Sequence, residues 1–202
     1  MDEPPEAMSC GPVRLQCWRS DDLPRMASAA RDSWQHLRPW MPWAQDEPTE
    51  QTQRPWLLAV REEWRSGDAY QFAMLPTGAD TVVGSIGLMR RIGPGGLEIG
   101  YWVAADHVGR GLATCAAAAL TWVGLQLDGV QRLEIRCDEA NVASAAVPAR
   151  LGYWLWDTLT VPVTAPSETG RQQVWRLDAD EWPTSAAARL LQRDPLDLGR
   201  PS

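Results

Sequence analysis

An apolar, strand-like run, Leu97-Glu98-Ile99-Gly100-Tyr101-Trp102-Val103, leads through a turn into Val108-Gly109-Arg110-Gly111-Leu112-Ala113-Thr114. An Ala-rich helical run follows at once. A glycine-containing loop that opens a helix after a strand is an anion site. Its first backbone N–H groups lack partners, and the helix dipole adds partial positive charge. Such a loop holds a diphosphate without a lysine, which points to a nucleotide-like cofactor. A P-loop needs GxxxxGK[ST], and no Lys stands here. A dinucleotide fingerprint needs GxGxxG and repeated βαβ units, and both are missing. On the loop alone, a tight turn with no ligand stays open as a reading.

The elements that must position this loop read along the chain as follows. Val13–Trp18 alternates as a strand does. Ser20-Asp21-Asp22 starts a helix running to about Gln35. Thr49 caps the next helix, which places Trp56, Leu57, Val60 and Trp64 on one face and stops at Gly67. Tyr70–Leu75, Thr81–Arg91 and Leu97–Ala104 form an antiparallel meander with Pro/Gly turns. A helix from Gly111 to about Leu127 precedes a strand over Val130–Cys137, and this single crossover should be parallel and right-handed. Asn141–Leu151 is a short helix ended by Gly152, and Trp154–Val163 with Gln172–Leu177 makes a final hairpin. Residues 1–11, Pro-rich and acidic, are expected to be disordered. The tail after Trp182 has room for one short helix, and Asp194–Ser202 reads as loose.

At 202 residues, with 45% hydrophobic and 22% charged, the chain is most simply one domain with a real core. Net charge is −7, with 26 acidic against 19 basic residues, which disfavours a broad nucleic-acid surface and favours cationic partners such as amines. The N-terminus lacks an apolar signal region, and no apolar run approaches the roughly 20 residues of a membrane span. Cys10, Cys17, Cys115 and Cys137 show no CxxC spacing. With only His36 and His107 beside them, no metal site is expected, and reduced thiols in a cytoplasm fit. Tryptophan is over-used, 12 against one Phe and three Tyr. Most must be core, but Trp40 and Trp43 lie in the Pro-broken Arg38-Pro39-Trp40-Met41-Pro42-Trp43, where a helix is disfavoured. Both readings, pocket wall and core plug, stay open for these two.

Taken with its neighbours, the loop resembles the coenzyme A pyrophosphate loop, Q/R-x-x-G-x-G/A, of the GCN5-related N-acetyltransferases (GNAT). Glu98-Ile99-Gly100-Tyr101-Trp102, Gly109–Thr114, Arg132-Leu133-Glu134-Ile135-Arg136-Cys137, Asn141-Val142-Ala143-Ser144 and Leu151-Gly152-Tyr153 are similar to the RimJ/RimL branch of that family. So are Leu37–Trp43 and the end, Arg176-Leu177…Asp180-Glu181-Trp182. The resemblance implies an α/β single-domain GNAT fold over residues 12–182, with a mixed central sheet of about seven strands flanked by about four helices. Residues 183–202 would be a C-terminal tail. Three departures stand out. Val108 replaces a polar residue, Ala145 and Ala146 stand where the branch often carries basic residues, and Pro148 lies inside the short helix. Pro148 removes an N–H, should kink the helix, and frees a carbonyl near Ser144.

The resemblance implies acetyl-CoA as acyl donor and a primary amine as acceptor, with direct transfer in a ternary complex. An amine attacks a thioester only when neutral, so a base or water relay helps, and the departing thiolate needs a proton donor. Glu98 is the candidate base, directly or through water, against an edge-strand surface Glu. Ser144 is the candidate acid, against a first-turn helix Ser. Tyr153 is a second donor, against a core Tyr. Backbone amides around Trp102 and Val103 would hold the pantetheine arm and oxyanion where the strands splay. Val108, Gly109, Arg110, Gly111, Leu112, Ala113 and Thr114 would hold the diphosphate, while Asn141 caps its helix and touches the arm. Trp40 and Trp43 would wall the acceptor side beside Glu98. Cys137 raises an acyl-Cys route, against an inert buried thiol.

The branch implies protein N-terminal α-amines as acceptors, classically those of ribosomal proteins. Many members of the branch modify small amines instead, and a small or peptide-like amine is the reading favoured here. A non-catalytic acyl-CoA-binding or sensor domain and a toxin-like acetylase of aminoacyl-tRNA are the alternatives, the last disfavoured by the negative charge. An exposed edge strand or the final hairpin could pair in a homodimer.

Overall fold

A computed structural model describes residues 1–198. Eight strands form one sheet in the order β1-β2-β3-β4-β5-β6-β8-β7. They are β1 (Ala7–Cys10), β2 (Val13–Cys17), β3 (Ala69–Pro76), β4 (Gly84–Met89), β5 (Gly96–Val103), β6 (Arg132–Asp138), β7 (Trp154–Thr160) and β8 (Arg171–Asp178). Within the sheet only β5 and β6 pair parallel. Among the described residues six α-helices flank it: α1 (Leu23–Asp32), α2 (Trp34–Leu37), α3 (Glu50–Ser66), α4 (Leu112–Gln126), α5 (Val142–Leu151) and α6 (Ala186–Arg193).

Sheet strands buried on both faces dictate two cores. Tyr70, Phe72 and Met74 of β3 face one side, with Ile86, Leu88, Leu97, Ile99 and Leu133, and α4 covers them with its fully buried Ala116–Leu120. The small residues let the helix lie close. A Cβ on Gly124 would stand 3.0 Å from a Leu133 methyl and 3.2 Å from one of Leu88. Ala73 and Leu75 face the other side and meet Trp18, Leu23, Met26, Leu57 and Val60 of the α1/α3 layer. Truncating one fully buried leucine such as Leu120 should cost about 2–5 kcal/mol. Helix α3 starts where Thr49 accepts from the Thr52 N–H at 3.2 Å and stops at Gly67, whose φ of 77° is left-handed. Among the described residues, no helix is long and apolar enough to cross a membrane.

Two expectations are corrected. Residues 7–10 are not loose: they pair antiparallel with β2 because Met8 and Cys10 alternate inward into the main core. This makes the sheet eight-stranded. The first helix breaks at Ser33, short of Gln35. The buried Ser33 hydroxyl there accepts from the Ala105 N–H at 3.1 Å, tying the helix layer to the turn after β5. Helix α5 runs over Val142–Leu151 with Pro148 inside it. In the tail, Asp197 bridges to Ser9, and residues 199–202 lie outside those described.

All 19 basic side chains of the chain are arginines, and several pair with acids along the sheet. Glu134 is bonded by Arg136 at 2.7 Å and Arg132 at 3.3 Å, and Arg176 meets Asp178 at 2.6 Å.

Candidate active site: a cleft at the splayed strands

Strands β5 and β6 pair only from Gly96↔Arg132 to Ile99↔Ile135. Gly100–Val103 keep their pairing with β4 but have none with β6, and Tyr101, Trp102 and Val103 line a cleft of about 710 Å³. The splay is the feature that sequence reading could not supply. Trp102 and Val103 line the cleft, as do Val108, Gly109, Gly111, Leu112, Ala113 and Thr114 of the loop, Asn141 and Ser144 of α5, and Trp40.

The loop suits a diphosphate on conformational grounds. Gly109 and Gly111 hold φ values of 73° and 77°, and a Cβ on either would meet no atom within 4 Å. Gly111 caps α4 without any side-chain bond to the first-turn amides, so those N–H groups remain directed into the cleft mouth. Val108 contributes an apolar, half-exposed side chain with no charge or hydrogen-bonding group to offer. Arg110 is exposed and does not line the cleft. Arg150 lines it from the last turn of α5 and supplies a cation that Ala145 and Ala146 do not.

Ser144 sits where α5 begins. The Asn141 side chain accepts from the Ser144 N–H at 3.1 Å, fixing the first turn. The Ser144 hydroxyl donates to the Tyr101 hydroxyl at 3.3 Å, and Tyr101 donates to the Ser144 carbonyl at 2.9 Å. Burial pushes the Tyr101 phenol far above its ordinary value, and the Ser144 bond offsets this only in part. Cys137 also faces Ser144. Burial drives its thiol up to about 11, the nearby Ser144 hydroxyl offsetting this only in part. At neutral pH it is a protonated thiol rather than a thiolate nucleophile.

Besides Arg110, three expected residues lie outside the lining. Glu98 is buried, outside the cleft lining, and its carboxylate is held bidentately by Arg91 at 2.9 and 2.5 Å. It shares the strand face of Trp102, with Gly100 between them. Tyr153 is fully enclosed in the core, bonded to Thr121 at 2.7 Å, and does not reach the cleft. Trp43 is 42% exposed and leans on Trp102, centroids 6.0 Å apart at 55°, so it extends the wall beyond the lining itself. Residues not singled out from sequence also line the cleft: Tyr101, His36, Met41 and Arg150. Tyr101 was legible only as part of a motif, since its partner lies 43 residues away.

A mixed sheet splayed beside an uncapped helix N-terminus, with a hydroxyl on the opposing helix, fits an acyl-CoA-dependent transferase. Residues 13–153 match the family model described as "Acetyltransferase (GNAT) domain", and the chain belongs to that family. It is an acetyltransferase whose acyl donor is acetyl-CoA. It is similar to YdaF of Bacillus subtilis (strain 168), assigned as a ribosomal N-acetyltransferase, at 25% identity over 142 residues, 70% of this chain and 77% of that protein. Its fold is similar to Mycobacterium smegmatis RimJ in complex with CoA-disulfide, with a TM-score of 0.79 at 24% identity, covering 96% of this chain and 97% of that one. It is also similar to RimL, a ribosomal L7/L12 α-N-protein acetyltransferase solved with coenzyme A. There the TM-score is 0.76 at 17% identity, covering 84% and 96%.

Proposed function

We propose that this chain acetylates the α-amine of a peptide-like or protein N-terminal acceptor, in a ternary complex, in the cytoplasm. The observation that carries the reading is the two-ended cleft. The glycine loop forms one end, and the indoles of Trp40, Trp43 and Trp102 form the other, with the unpaired half of β5 between them. Acetyl-CoA, once bound, supplies an acyl thioester. The α4 amides and Arg150 bind its phosphates, and the backbone of Val103, on the side of β5 turned away from β4, orients the arm and faces the carbonyl oxygen. Ser144 Oγ holds the proton for the departing sulfur.

The acceptor class follows from the weakness of the base. Glu98 is tied to Arg91 and lies outside the cleft lining, so it acts on the acceptor through water. That suits an amine already partly neutral. An α-amine titrates near 8 and a lysine near 10.4, so at pH 7.5 the neutral fractions differ by more than a hundredfold. The −7 charge draws a cationic peptide end to the mouth. The relatives named above for ribosomal proteins support a protein or peptide acceptor.

The test is a thiol-release assay with acetyl-CoA. It compares peptides bearing a free N-terminus with the same peptides N-blocked and carrying one lysine, products being located by mass spectrometry. Transfer to the free α-amine is expected, with Ser144→Ala lowering kcat on the order of a hundredfold and Glu98→Gln lowering it less. Equal transfer to lysine overturns the acceptor assignment. Acetyl-CoA binding without turnover on any amine supports a sensor domain instead.

A further inference from the structure

We propose that Tyr101 and Pro148 are positioning residues for the proton donor: Pro148 leaves the Ser144 carbonyl without its helical partner, Tyr101 takes that carbonyl, and the anchored phenol oxygen holds Ser144 Oγ in place. This rests on the reading of Ser144 as acid.

In a regular helix the N–H of residue 148 would donate to the carbonyl of residue 144. Proline has none, and its ring crowds that carbonyl outward. The carbonyl is nonetheless satisfied, by the Tyr101 hydroxyl at 2.9 Å. A phenol has one proton, and here it is committed to that carbonyl. Toward Ser144 Oγ, 3.3 Å away, the phenol oxygen can therefore only accept. The serine proton is thus aligned along a fixed direction from an oxygen carried by the strand that lines the cleft. Burial, which raises the Tyr101 phenol, keeps its proton in place throughout the working pH range. When negative charge develops on sulfur, the Ser144 O–H turns from Tyr101 to it, and Tyr101 loses only an accepted bond. No proton leaves Tyr101, so no buried phenolate forms. Pro148 thereby has a use that its cost to a helix interior would not otherwise explain.

A double-mutant cycle on the full chain decides this. The carbonyl bond from Tyr101 to residue 144 survives in Ser144→Ala, because the acceptor is backbone. If Tyr101 acts by positioning the side chain, Tyr101→Phe lowers kcat about tenfold with KM for acetyl-CoA within twofold, and has no further effect in the Ser144→Ala background. Pro148→Ala, which restores the competing N–H, lowers kcat in the same Ser144-dependent manner while raising Tm. Two outcomes overturn the proposal: an equal loss from Tyr101→Phe in both backgrounds, which marks a purely structural bond, or no loss in either. If Ser144→Ala itself leaves kcat unchanged, it is the acid assignment that has failed. That result is distinguishable from a cycle in which Ser144→Ala lowers kcat and Tyr101→Phe does not.

Discussion

Replacing Asp138 with Asn should loosen the wall of the cleft without touching its lining. Asp138 ends β6 and accepts four hydrogen bonds: from the N–H groups of Ala140 at 3.0 Å, Thr169 at 2.8 Å and Gly170 at 3.0 Å, and from the Thr169 hydroxyl at 3.0 Å. It joins the turn that starts α5 to the loop between β7 and β8. Burial alone would raise the carboxyl. The four donors outweigh it and hold the group below its ordinary value. Asn keeps one acceptor oxygen and turns an NH₂ toward N–H groups that then lack a partner. Hydrogen bonds to a charged group contribute about 1.5–3 kcal/mol each but share one anchor, so the net loss should be about 2–4 kcal/mol.

The sign with pH follows. A depressed folded value means the stabilisation is complete above the unfolded carboxyl value of about 3.9 and disappears as pH falls through the lower folded one. Urea unfolding of wild type and Asp138→Asn, followed by tryptophan fluorescence, should show the full gap at pH 7 and pH 5.5, narrowing below about pH 4. A gap under about 0.5 kcal/mol at pH 7, or one that stays constant into acid, would refute the reasoning. Since Asn141 caps α5 three residues on, KM for acetyl-CoA should also rise.

Two further outcomes follow from the cleft. Gly111→Ala should cost about 1–2 kcal/mol of stability from its left-handed φ and weaken coenzyme A by more than tenfold in calorimetry. Unchanged affinity would remove the loop as the diphosphate site. Trp43→Ala should lose at most about 1 kcal/mol, because the residue is half-exposed and only leans on Trp102. It should raise KM for the peptide while leaving that for acetyl-CoA unchanged, as steady-state kinetics with each substrate varied will read.

The parts of this architecture that were legible in sequence are those fixed by local chemistry. Thr49 and Gly67 bound a helix through their own cap and left-handed turn, and Gly109 and Gly111 mark the loop for the same reason. What was not legible depends on register or on distant partners. β1 was hidden because Ala7–Cys10 carries only two large inward groups between a proline pair and Gly11, too few for a pattern. Glu98 looked available because nothing local announces that the β4–β5 hairpin returns Arg91 to its carboxylate. Tyr153 follows Gly152 in the family motif, yet the turn sends its ring inward to Thr121. The splay of β5 from β6 has no signature in either strand, since it is an absence of pairing.

The exclusively arginine composition of the ion pairs along the sheet has a consequence for the chemistry performed beside them. A guanidinium stays charged at any pH at which the protein is folded, so it offers no neutral nitrogen to a thioester. An enzyme that hands acetyl groups to amines thus carries no side-chain amine of its own. Lysine self-acetylation cannot drain its donor or blunt its charge. Any acetyl-lysine found in a reaction mixture must belong to the acceptor.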